Sequence, residues 1–464
     1  MYYVYSTINS NGPTRWDSRD AQSTMAGYDR SVGVIGGGMI GTATALSLVR
    51  KGHDVTLIDP QVADRPASYG NGGALNPSSV VPVTVPGLLG KIPRMALAPD
   101  SPLFVSLRYL PRLLPWLVPY LAHCRRSEAV RISNSLAPLL NDSPGEHRAL
   151  AGGTGAESYL HATDLFFVYD NQADFDADRF AWSLRTRHGI EWEVLDADTY
   201  GRIEPALADR SYFAIRLPEH GFLSDPGRYL AALTDAFREL GGHVAKDRVV
   251  DISRHGRRVA VRLAGQARLD FATAVIAAGA WSARLTAKLG LSFPLESERG
   301  YHVEFIEPSI MPTRPIMNAS AKIIAAPIAG RLRCAGVVEF AGLESPANKA
   351  PAELLVKAAR KMFPTLRWKQ MRTWMGHRPA LTDSLPIIGR APGHENIILA
   401  FGHHHIGMAT GAKTARIVAD LVTGADPGID LTPYRADRFR STAKIGQPRA
   451  RRRKVRTAAW GRGP

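Results

Sequence analysis

Residues 30–59, with the sequence RSVGVIGGGMIGTATALSLVRKGHDVTLID, constrain the fold more than any other stretch of the chain. VGVIG predicts a short buried strand, MIGTATALSLVRKG a helix with a regular apolar face, and DVTLI a second buried strand. Gly36, Gly38 and Gly41 supply the spacing G-x-G-x-x-G between the first strand and the helix, and Asp59 ends the second strand. This combination predicts a Rossmann-like, dinucleotide-binding unit.

The residue types in this turn suit a bound pyrophosphate. Gly36 permits a tight turn, Gly38 lets the backbone approach the phosphates, and Gly41 lets helix and strand pack closely. The start of the helix offers free N–H groups and a positive dipole, and an acid at the end of the second strand can accept ribose hydroxyls. The motif alone does not separate FAD from NAD. The cofactor residues predicted here are Gly36, Gly37, Gly38, Met39, Ile40, Gly41 and Asp59.

Small and polar residues recur where a flat ring could lie against the backbone. The stretch SYGNGGALNPS follows the second strand, and VIAAGAWS ends another predicted buried strand. Between them, VVDISRHGRRVAVRL predicts two strands joined by a turn. An ordinary surface loop is the alternative interpretation of the first stretch. The further cofactor residues predicted here are Ser68, Asn71, Gly72, Gly73, Val249, Ala278, Gly279 and Trp281.

Chain length, cysteine count and charge limit the number of domains, the kinds of site and the partners that this protein can have. A chain of 464 residues allows about two domains. The two cysteines, Cys124 and Cys334, are far apart, which argues against a disulfide framework or a thiolate zinc site and favours a reducing compartment. Nine basic residues and no acidic ones lie in 440–464, within a formal net charge of +16. We predict a disordered leader over 1–30 and a disordered basic tail over 440–464; a nucleic-acid-associated protein that uses this tail is the alternative of another class.

Residues 101–126, SPLFVSLRYLPRLLPWLVPYLAHCRR, are apolar, but Pro111, Pro115 and Pro119 break the run and Arg108 and Arg112 lie inside it. A spanning helix needs about 20 mostly uncharged residues, so we expect no transmembrane segment here. The pattern predicts a broken amphipathic helical region. It either packs on the domain or lies on a membrane surface.

Seven motifs, in order, carry a resemblance to a known family: VIGGGMIG, SYGNGGALNPS, FLSDPGRYLAAL, VIAAGAWS, ERGYHVEF, WMGHRPALTDSLPIIG and FGHHHIGMATGAKTARIVADLVTG. Together they span roughly residues 31–439. The chain resembles the FAD-dependent D-amino-acid dehydrogenases of the wider D-amino-acid oxidase family, which also includes glycine and sarcosine oxidases. Within the family, GHRP…DSLPIIG is most similar to dehydrogenases of D-hydroxyproline and related imino acids.

The resemblance implies an α/β (α+β) fold in two domains. A Rossmann-like FAD-binding domain is expected to be discontinuous, and a substrate domain is expected to lay an antiparallel sheet over one face of the flavin. The implied FAD-binding segments are 31–90, 223–290 and 372–439. The implied substrate segments are 91–222 and 291–371.

The stretch GHHHIGM places three adjacent histidines before a predicted helix. The resemblance implies that this helix points its N-terminus at the flavin pyrimidine edge, where reduction adds negative charge. Consecutive residues on a turn do not easily aim three side chains at one ion, so we expect no metal. His404 stands where the family pattern has glycine, which predicts a positive φ or crowding of the ring. The cofactor residues predicted here are Gly402, His403, Gly407 and Met408, and His405 is a catalytic candidate.

An amino-acid substrate brings a carboxylate, for which a guanidinium is the best partner. Arg378 is the candidate; the alternative is that it fixes the loop through Asp383. Strand alternation in ERGYHVEF puts Tyr301 and His302 on opposite faces, and both are catalytic candidates. Tyr301 resembles a phenol that binds the substrate in related oxidases, and aromatic packing is its alternative role.

The implied reaction is oxidative deamination of a D-amino acid, or oxidation of a cyclic imino acid, by hydride transfer from Cα to flavin N5. We expect no obligate base. FAD is expected to be noncovalent, because neither cysteine lies in the C-terminal flavin loops. The electron acceptor is either a quinone or respiratory chain, or oxygen as in amine oxidases. We expect a cytoplasmic protein, with peripheral contact at the inner face of the plasma membrane left open, and no nucleic-acid partner.

Overall fold

The structure of the protein is a computed structural model that describes residues 29–61, 66–87 and 101–442. The predicted leader, apart from its last two residues, lies outside the described part, as does the predicted tail from residue 443 onward.

The described strands carry both domains. In chain order they are β1 (Ser31–Ile35), β2 (Asp54–Ile58), β3 (Ala74–Leu75), β4 (Leu103–Val105), β5 (Leu160–Tyr169), β6 (Glu193–Leu195), β7 (Phe213–Leu223), β8 (His243–Ala245), β9 (Val249–His255), β10 (Arg258–Leu263), β11 (Arg268–Phe271), β12 (Thr273–Ile276), β13 (Leu295–Ile306), β14 (Ile316–Asn318), β15 (Ile323–Ile328), β16 (Arg331–Phe340), β17 (Gln370–Leu381), β18 (Ile387–Ala391) and β19 (His394–Phe401).

The described helices cover the sheets. They are α1 (Met39–Arg50), α2 (Leu110–Ala122), α3 (Arg126–Leu140), α4 (Ser143–Ala151), α5 (Gln172–Ala177), α6 (Arg179–Arg187), α7 (Ala197–Ile203), α8 (Pro226–Glu239), α9 (Ser282–Thr286), α10 (Ala350–Met362) and α11 (Gly411–Thr423).

The first sheet has the order β18–β19–β12–β1–β2–β8. All neighbouring pairs are parallel except β18–β19. Helix α1 packs against α8 and α11, and their apolar faces bury Leu46, Leu233 and Val418 in one core with β1. A small antiparallel sheet, β11–β10–β9, packs beside it and contains the predicted strand–turn–strand. The α/β Rossmann-like domain predicted from the glycine motif is confirmed.

The second sheet has ten strands, with the main order β17–β13–β16–β15–β14–β5–β7–β3. Most of its pairs are antiparallel, and helix α10 covers one face. On that face Tyr301, Val303 and Phe305 pack with Leu355 and Met362 of α10. The opposite face is turned toward the first sheet and forms the candidate site. The predicted two-domain fold with an antiparallel substrate sheet is confirmed.

Two parts of the predicted domain division are wrong. Strand β17, placed in the cofactor segment 372–439, pairs along its length with β13 of the second sheet. Helices α3 and α4, placed in the substrate segment, pack on α11 of the cofactor domain. In both cases local periodicity gives the element but not the partner that covers it.

Residues 101–126 form strand β4 and then one helix, α2, that continues through Pro115 and Pro119. The predicted break in the helix is therefore wrong. Leu113, Trp116 and Tyr120 form the inner face of α2 and are buried against Phe340 and Ala380, so the region packs on the domain. Within residues 29–61, 66–87 and 101–442, no helix combines the length and apolar character needed to cross a bilayer.

Candidate functional site

The predicted cofactor residues converge because they follow strands of one parallel sheet. The glycine turn follows β1, Asp59 follows β2, Ala278 follows β12, and the histidine turn follows β19. The carboxyl ends of parallel strands meet at one edge of a sheet, which is where open α/β sheets bind ligands. The sequence motifs, up to 370 residues apart, therefore face one cleft.

The glycine turn has the geometry that the motif requires. Gly36 has φ of +114°, and a Cβ there would lie 2.4 Å from the carbonyl oxygen of Ala277. A Cβ on Gly41 would lie 1.8 Å from the carbonyl oxygen of Gly36, so only glycine lets α1 approach the strand this closely. Helix α1 starts at Met39 after an N-cap glycine, Gly38, without a side-chain cap or an acid in its first turn. Its positive end is left available for an anion.

Asp59 lies beside this turn. Its carboxylate accepts hydrogen bonds from the backbone N–H groups of Gly37 at 2.8 Å and Gln61 at 2.7 Å. Each oxygen can accept a second hydrogen bond, so these two bonds orient the carboxylate and leave it able to bind a ligand hydroxyl. The hydroxyl of Ser68 accepts a hydrogen bond from the N–H of Met39 at 3.0 Å, which ties the next loop to the start of α1.

The loop at residues 68–73 is held against the second sheet by Arg333. Its guanidinium donates to the carbonyl oxygens of Tyr69 at 2.8 Å and Asn71 at 2.7 Å, and pairs with Glu304 at 2.6 Å. A Cβ on Gly72 would lie 2.9 Å from Ile324. This loop is therefore anchored in the cleft between the domains, and the ordinary surface loop is the wrong alternative.

The remaining predicted cofactor residues, which follow β8 and β12, belong to the Rossmann-like domain. Val249 begins β9 and is buried in its core. Ala278 precedes a short turn in which Gly279 has φ of +54° and open space where a Cβ would stand. Trp281 is partly exposed, and its ring lies edge-on to His377 at 5.2 Å.

The three histidines have three different environments. His403 is buried, and its Nε2 lies 3.1 Å from the hydroxyl of Thr414. His404 is buried with φ of +52°, which confirms the positive φ expected where the family has glycine. Its Nδ1 lies 2.9 Å from Nδ1 of His405, which is exposed. Gly402 begins the turn with φ of +88°.

Helix α11 follows this turn, with Gly407 and buried Met408 just before it and no side-chain cap at its start. Two side chains of α4 fix its position. Ser143 donates to the carbonyl oxygen of Ala409 at 2.6 Å, and His147 Nε2 lies 2.8 Å from that of Met408. Burial lowers the pKa of His147 to about 4, so its ring is neutral near pH 7.

A charged cluster lies on the open face of the second sheet, opposite the histidine turn. Glu298 lies 2.9 Å from Arg378 through one oxygen and 2.8 Å from His404 Nε2 through the other. Burial alone raises the pKa of Glu298, but the charges of His404 and Arg378 outweigh burial and lower it to about 2. The carboxylate is therefore ionised near pH 7.

The alternative role of Arg378, fixing the loop through Asp383, does not fit the structure, because Arg378 pairs with Glu298. Asp383 pairs with Arg438 at 2.7 Å, so Arg378 does not fix that loop. Its guanidinium is partly exposed and reaches the cleft beside Glu298. A cation is thus available in the cleft.

The prediction that Tyr301 binds a substrate is wrong, and its packing alternative fits the structure. Its ring is in the core under α10, on the face turned away from the cleft. Its hydroxyl donates to Glu339 at 2.5 Å and accepts the N–H of Asn348 at 3.1 Å. Burial, reinforced by Glu339, raises the pKa of Tyr301 to about 12.

His302 lies on the cleft face, as strand alternation predicted, but in a supporting position. Its ring stacks on Trp374 at 5.1 Å, and Nδ1 lies 3.2 Å from the carbonyl oxygen of Gly70. Burial and then the charge of Arg333 lower the pKa of His302 to about 3, so it is not a proton acceptor near pH 7. We therefore withdraw His302 as a catalytic candidate. His405 touches His404 rather than Glu298 and remains a prediction.

Four residues of this site were not predicted: Glu298, Arg333, Trp374 and His147. Glu298 could have been found, because it lies an even number of positions from His302 in the same strand and shares its face. Strand alternation could also have placed Trp374 beside His302, given the pairing of β13 with β17. The partners of Arg333 and His147 are far away in sequence, and no local pattern indicates them.

The cleft fits FAD. The start of α1, where Gly38 supplies no side-chain cap, suits a pyrophosphate, and Asp59 keeps acceptor positions for a ribose. The start of α11 follows a strand of the same sheet. The loop at 68–73 and the histidine turn border the cleft between the two sheets, which is where a flat ring would lie. Fold and site together define a dinucleotide-binding oxidoreductase with a separate substrate sheet.

Comparisons with known proteins identify the family. Residues 31–421 match the family described as "DAO: FAD dependent oxidoreductase", and the chain belongs to this family. It is 37% identical over 417 residues to "D-amino-acid oxidase" of Bradyrhizobium diazoefficiens, covering 88% of this chain and 99% of the relative. It is 32% identical to "D-amino acid dehydrogenase" of Paramagnetospirillum magneticum, covering 88% and 98%.

The fold is shared with solved structures at lower identity. Glycine oxidase from Geobacillus kaustophilus matches with a TM-score of 0.67 and 22% identity over 87% of this chain and 97% of that one. The family resemblance given by the seven motifs, and FAD as the cofactor, are therefore confirmed. The finer placement beside D-hydroxyproline dehydrogenases stays a prediction.

Proposed function

We propose that this protein oxidises a D-amino acid, or a cyclic imino acid such as D-hydroxyproline, to the corresponding imine. An open-chain imine is then hydrolysed to a 2-oxo acid and ammonia. The observation that carries this proposal is Arg378, a partly exposed guanidinium in the cleft between the cofactor loops and the substrate sheet. The names of the relatives with 37% and 32% identity support an amino acid of D configuration.

Arg378 binds the substrate carboxylate. In the free protein one oxygen of Glu298 lies 2.9 Å from one guanidinium nitrogen of Arg378, and the other oxygen faces His404. An arginine has five donor hydrogens, so it can keep Glu298 and still present donors to a second carboxylate. Glu298 then lies next to the bound substrate and offers an acceptor to its amino group. A zwitterion is therefore matched at both of its charges, and its ammonium group loses one proton to solvent before the hydride leaves Cα.

FAD, when bound, accepts the hydride from the substrate Cα. The residues of this chain bind, orient and exclude water. Helix α11 would hold the flavin near its positive end, and such an end stabilises nearby negative charge by about 0.3–1 kcal/mol. FAD is held noncovalently: Cys334 is in the core under α10, and Cys124 is buried behind α2.

Electrons then pass to a quinone or another respiratory acceptor, in a cytoplasmic protein that contacts the membrane peripherally. The second candidate is an amine oxidase that uses oxygen, which the name "D-amino-acid oxidase" of one relative favours. Turnover with oxygen alone, at the rate seen with an artificial quinone, supports the oxidase. Slow reoxidation by oxygen after fast flavin reduction supports the dehydrogenase.

The test is anaerobic flavin reduction by D- and L-amino acids and by both hydroxyprolines. We expect bleaching with D-substrates only. Arg378→Gln should lower kcat/KM by roughly 30- to 1,000-fold, which corresponds to losing about 2–4 kcal/mol of binding to a buried charge. Arg378→Lys should recover part of the loss. Arg284→Gln is the matched control, because Arg284 is an exposed arginine paired with Glu344, and it should leave kcat/KM unchanged. Equal bleaching by L-substrates, or full activity of Arg378→Gln, would contradict the proposal.

A further inference from the structure

Helix α2 has two apolar faces, and within residues 29–61, 66–87 and 101–442 only the inner one is covered. Its inner face, with Leu113, Trp116 and Tyr120, is buried. Its outer face leaves Leu114 47% exposed and Val118 64% exposed, and Leu107 in the preceding turn is 83% exposed. Amphipathic helices on protein surfaces normally turn a polar face outward, so this outer face is unusual.

The exposed apolar residues are concentrated here. Of the large hydrophobic side chains that are exposed in the described residues, Leu107, Leu114 and Val118 lie along one side of this single segment, at spacings of seven and four. Such spacing puts side chains in one row along a helix. Pro111, Pro115 and Ala122, also exposed, extend the same row. Contiguous exposed apolar surface of this kind marks an interaction site.

The charge around this row has one sign. Arg108 and Arg112 are exposed beside it, and Arg125 is exposed just past the end of the helix. The sequence contains no aspartate or glutamate between 101 and 127. An apolar stripe with three exposed arginines beside it is complementary to a surface with an apolar interior and anionic headgroups. The surface of an ordinary protein partner carries charges of both signs, so it would not be expected to face these arginines with anionic groups alone.

The inner face of α2 connects this surface to the candidate site. The indole N–H of Trp116 donates to the carbonyl oxygen of Ala380 at 3.0 Å, two residues after Arg378. Tyr120 stacks on Trp116 at 4.5 Å, and the charge of Glu298 contributes to raising its pKa after burial. The helix is therefore the layer between solvent and the cluster of Glu298 and Arg378. Whatever binds its outer face lies about one helix diameter, roughly 10 Å, from the site.

We propose that the outer face of α2, defined by Leu107, Leu114, Val118, Arg108 and Arg112, docks the protein on an anionic lipid bilayer. The apolar row enters the boundary between headgroups and acyl chains while the arginines contact phosphates. This inference rests on the proposed function in one respect. If the electron acceptor is a quinone dissolved in the lipid, docking through α2 brings it close to the reduced cofactor. Docking itself requires no catalysis and is measured without it.

The test is co-sedimentation of the full-length holoprotein with vesicles of phosphatidylcholine containing phosphatidylglycerol, and with vesicles of phosphatidylcholine alone. We expect binding to the anionic vesicles that weakens as salt is raised, and little binding to the neutral ones. The double variant Leu114→Glu/Val118→Glu should bind anionic vesicles at least roughly tenfold more weakly, because two carboxylates replace two inserted side chains. Val194→Glu/Leu240→Glu, at two half-exposed sites elsewhere, is the matched control and should bind like wild type.

Deletion of residues 443–464 separates docking by α2 from docking by the basic tail. If the truncated protein keeps its sensitivity to Leu114→Glu/Val118→Glu, the proposal stands. The proposal is overturned if truncation alone abolishes binding, if wild type does not bind anionic vesicles, or if the double variant instead dissolves a dimer seen in sedimentation equilibrium. Anaerobic flavin reduction by D-amino acids, measured on the same samples, reports on the proposed function separately.

Discussion

His404 shows how a single residue can depart from a family pattern and be fixed by one contact. Its backbone has φ of +52°, a region that glycine occupies freely and other residues adopt at a cost of about 1 kcal/mol or more. The side chain is buried, with Nε2 lying 2.8 Å from Glu298. The contact offsets the strain because it places an imidazole against the second oxygen of the buried carboxylate, whose first oxygen faces Arg378.

We predict that His404→Gly relieves the backbone strain but weakens substrate binding. With His404 removed, Arg378 remains the ion-pair partner of Glu298 among the described residues, and Glu298 competes more strongly with a substrate carboxylate for it. KM should rise roughly fivefold, equivalent to about 1 kcal/mol, while kcat changes little. His404→Asn, which tolerates positive φ and keeps a donor, should restore most of the affinity. Steady-state kinetics on the three proteins decides; an unchanged KM with a lower kcat would show that His404 acts in the chemical step.

At the scale of elements, helix α4 positions the start of α11 through the carbonyl oxygens of Met408 and Ala409. His147 reaches both this turn and α8, because its other ring nitrogen lies 2.8 Å from the hydroxyl of Tyr229. All of these groups are buried, so each lost partner leaves a polar atom without solvent. The helix that faces the cofactor is thus fixed by a helix of another segment, which explains why α4 belongs to the cofactor domain.

We predict that Ser143→Ala weakens FAD binding by a few-fold to about tenfold, since it leaves the carbonyl oxygen of Ala409 unpaired, at a cost of about 1 kcal/mol. Titration of the apoprotein with FAD, followed by quenching of flavin fluorescence, measures the dissociation constant. Ser158→Ala removes an exposed hydroxyl that bonds its own turn and is the control. Identical constants for both variants would exclude a positioning role for Ser143.

For the whole molecule, buried neutral histidines couple stability to pH. Burial lowers the pKa of His147 to about 4 and of His403 to about 3, and burial with the charge of Arg333 lowers that of His302 to about 3. Unfolded histidines bind protons below about pH 6.5, so acidification favours the unfolded state. Glu298, lowered to about 2, acts in the same direction only below about pH 4.3, where its unfolded carboxyl becomes protonated.

We predict that the free energy of unfolding falls as pH is lowered from about 6.5 to 4, by up to about 1.4 kcal/mol per pH unit for each of the three histidines. Urea unfolding of the holoprotein at pH 8, 7, 6 and 5 measures the slope. His403→Asn removes one proton-binding group and should reduce the slope by up to about 1.4 kcal/mol per pH unit. A free energy that is flat between pH 7 and 5 would contradict neutral burial of these rings.

The sequence by itself determined the βαβ unit, the conformation of its glycine turn and the faces of β13, because each depends on local spacing. FAD followed from the family resemblance that the seven motifs carry together. Tertiary structure alone decided that Glu298 meets Arg378 and His404, 80 and 106 positions away. It also decided that Tyr301 lies under α10 and that α4 supports α11. The physical reason is the same throughout: periodicity fixes the side on which a residue lies, whereas burial and pKa depend on which distant element covers that side.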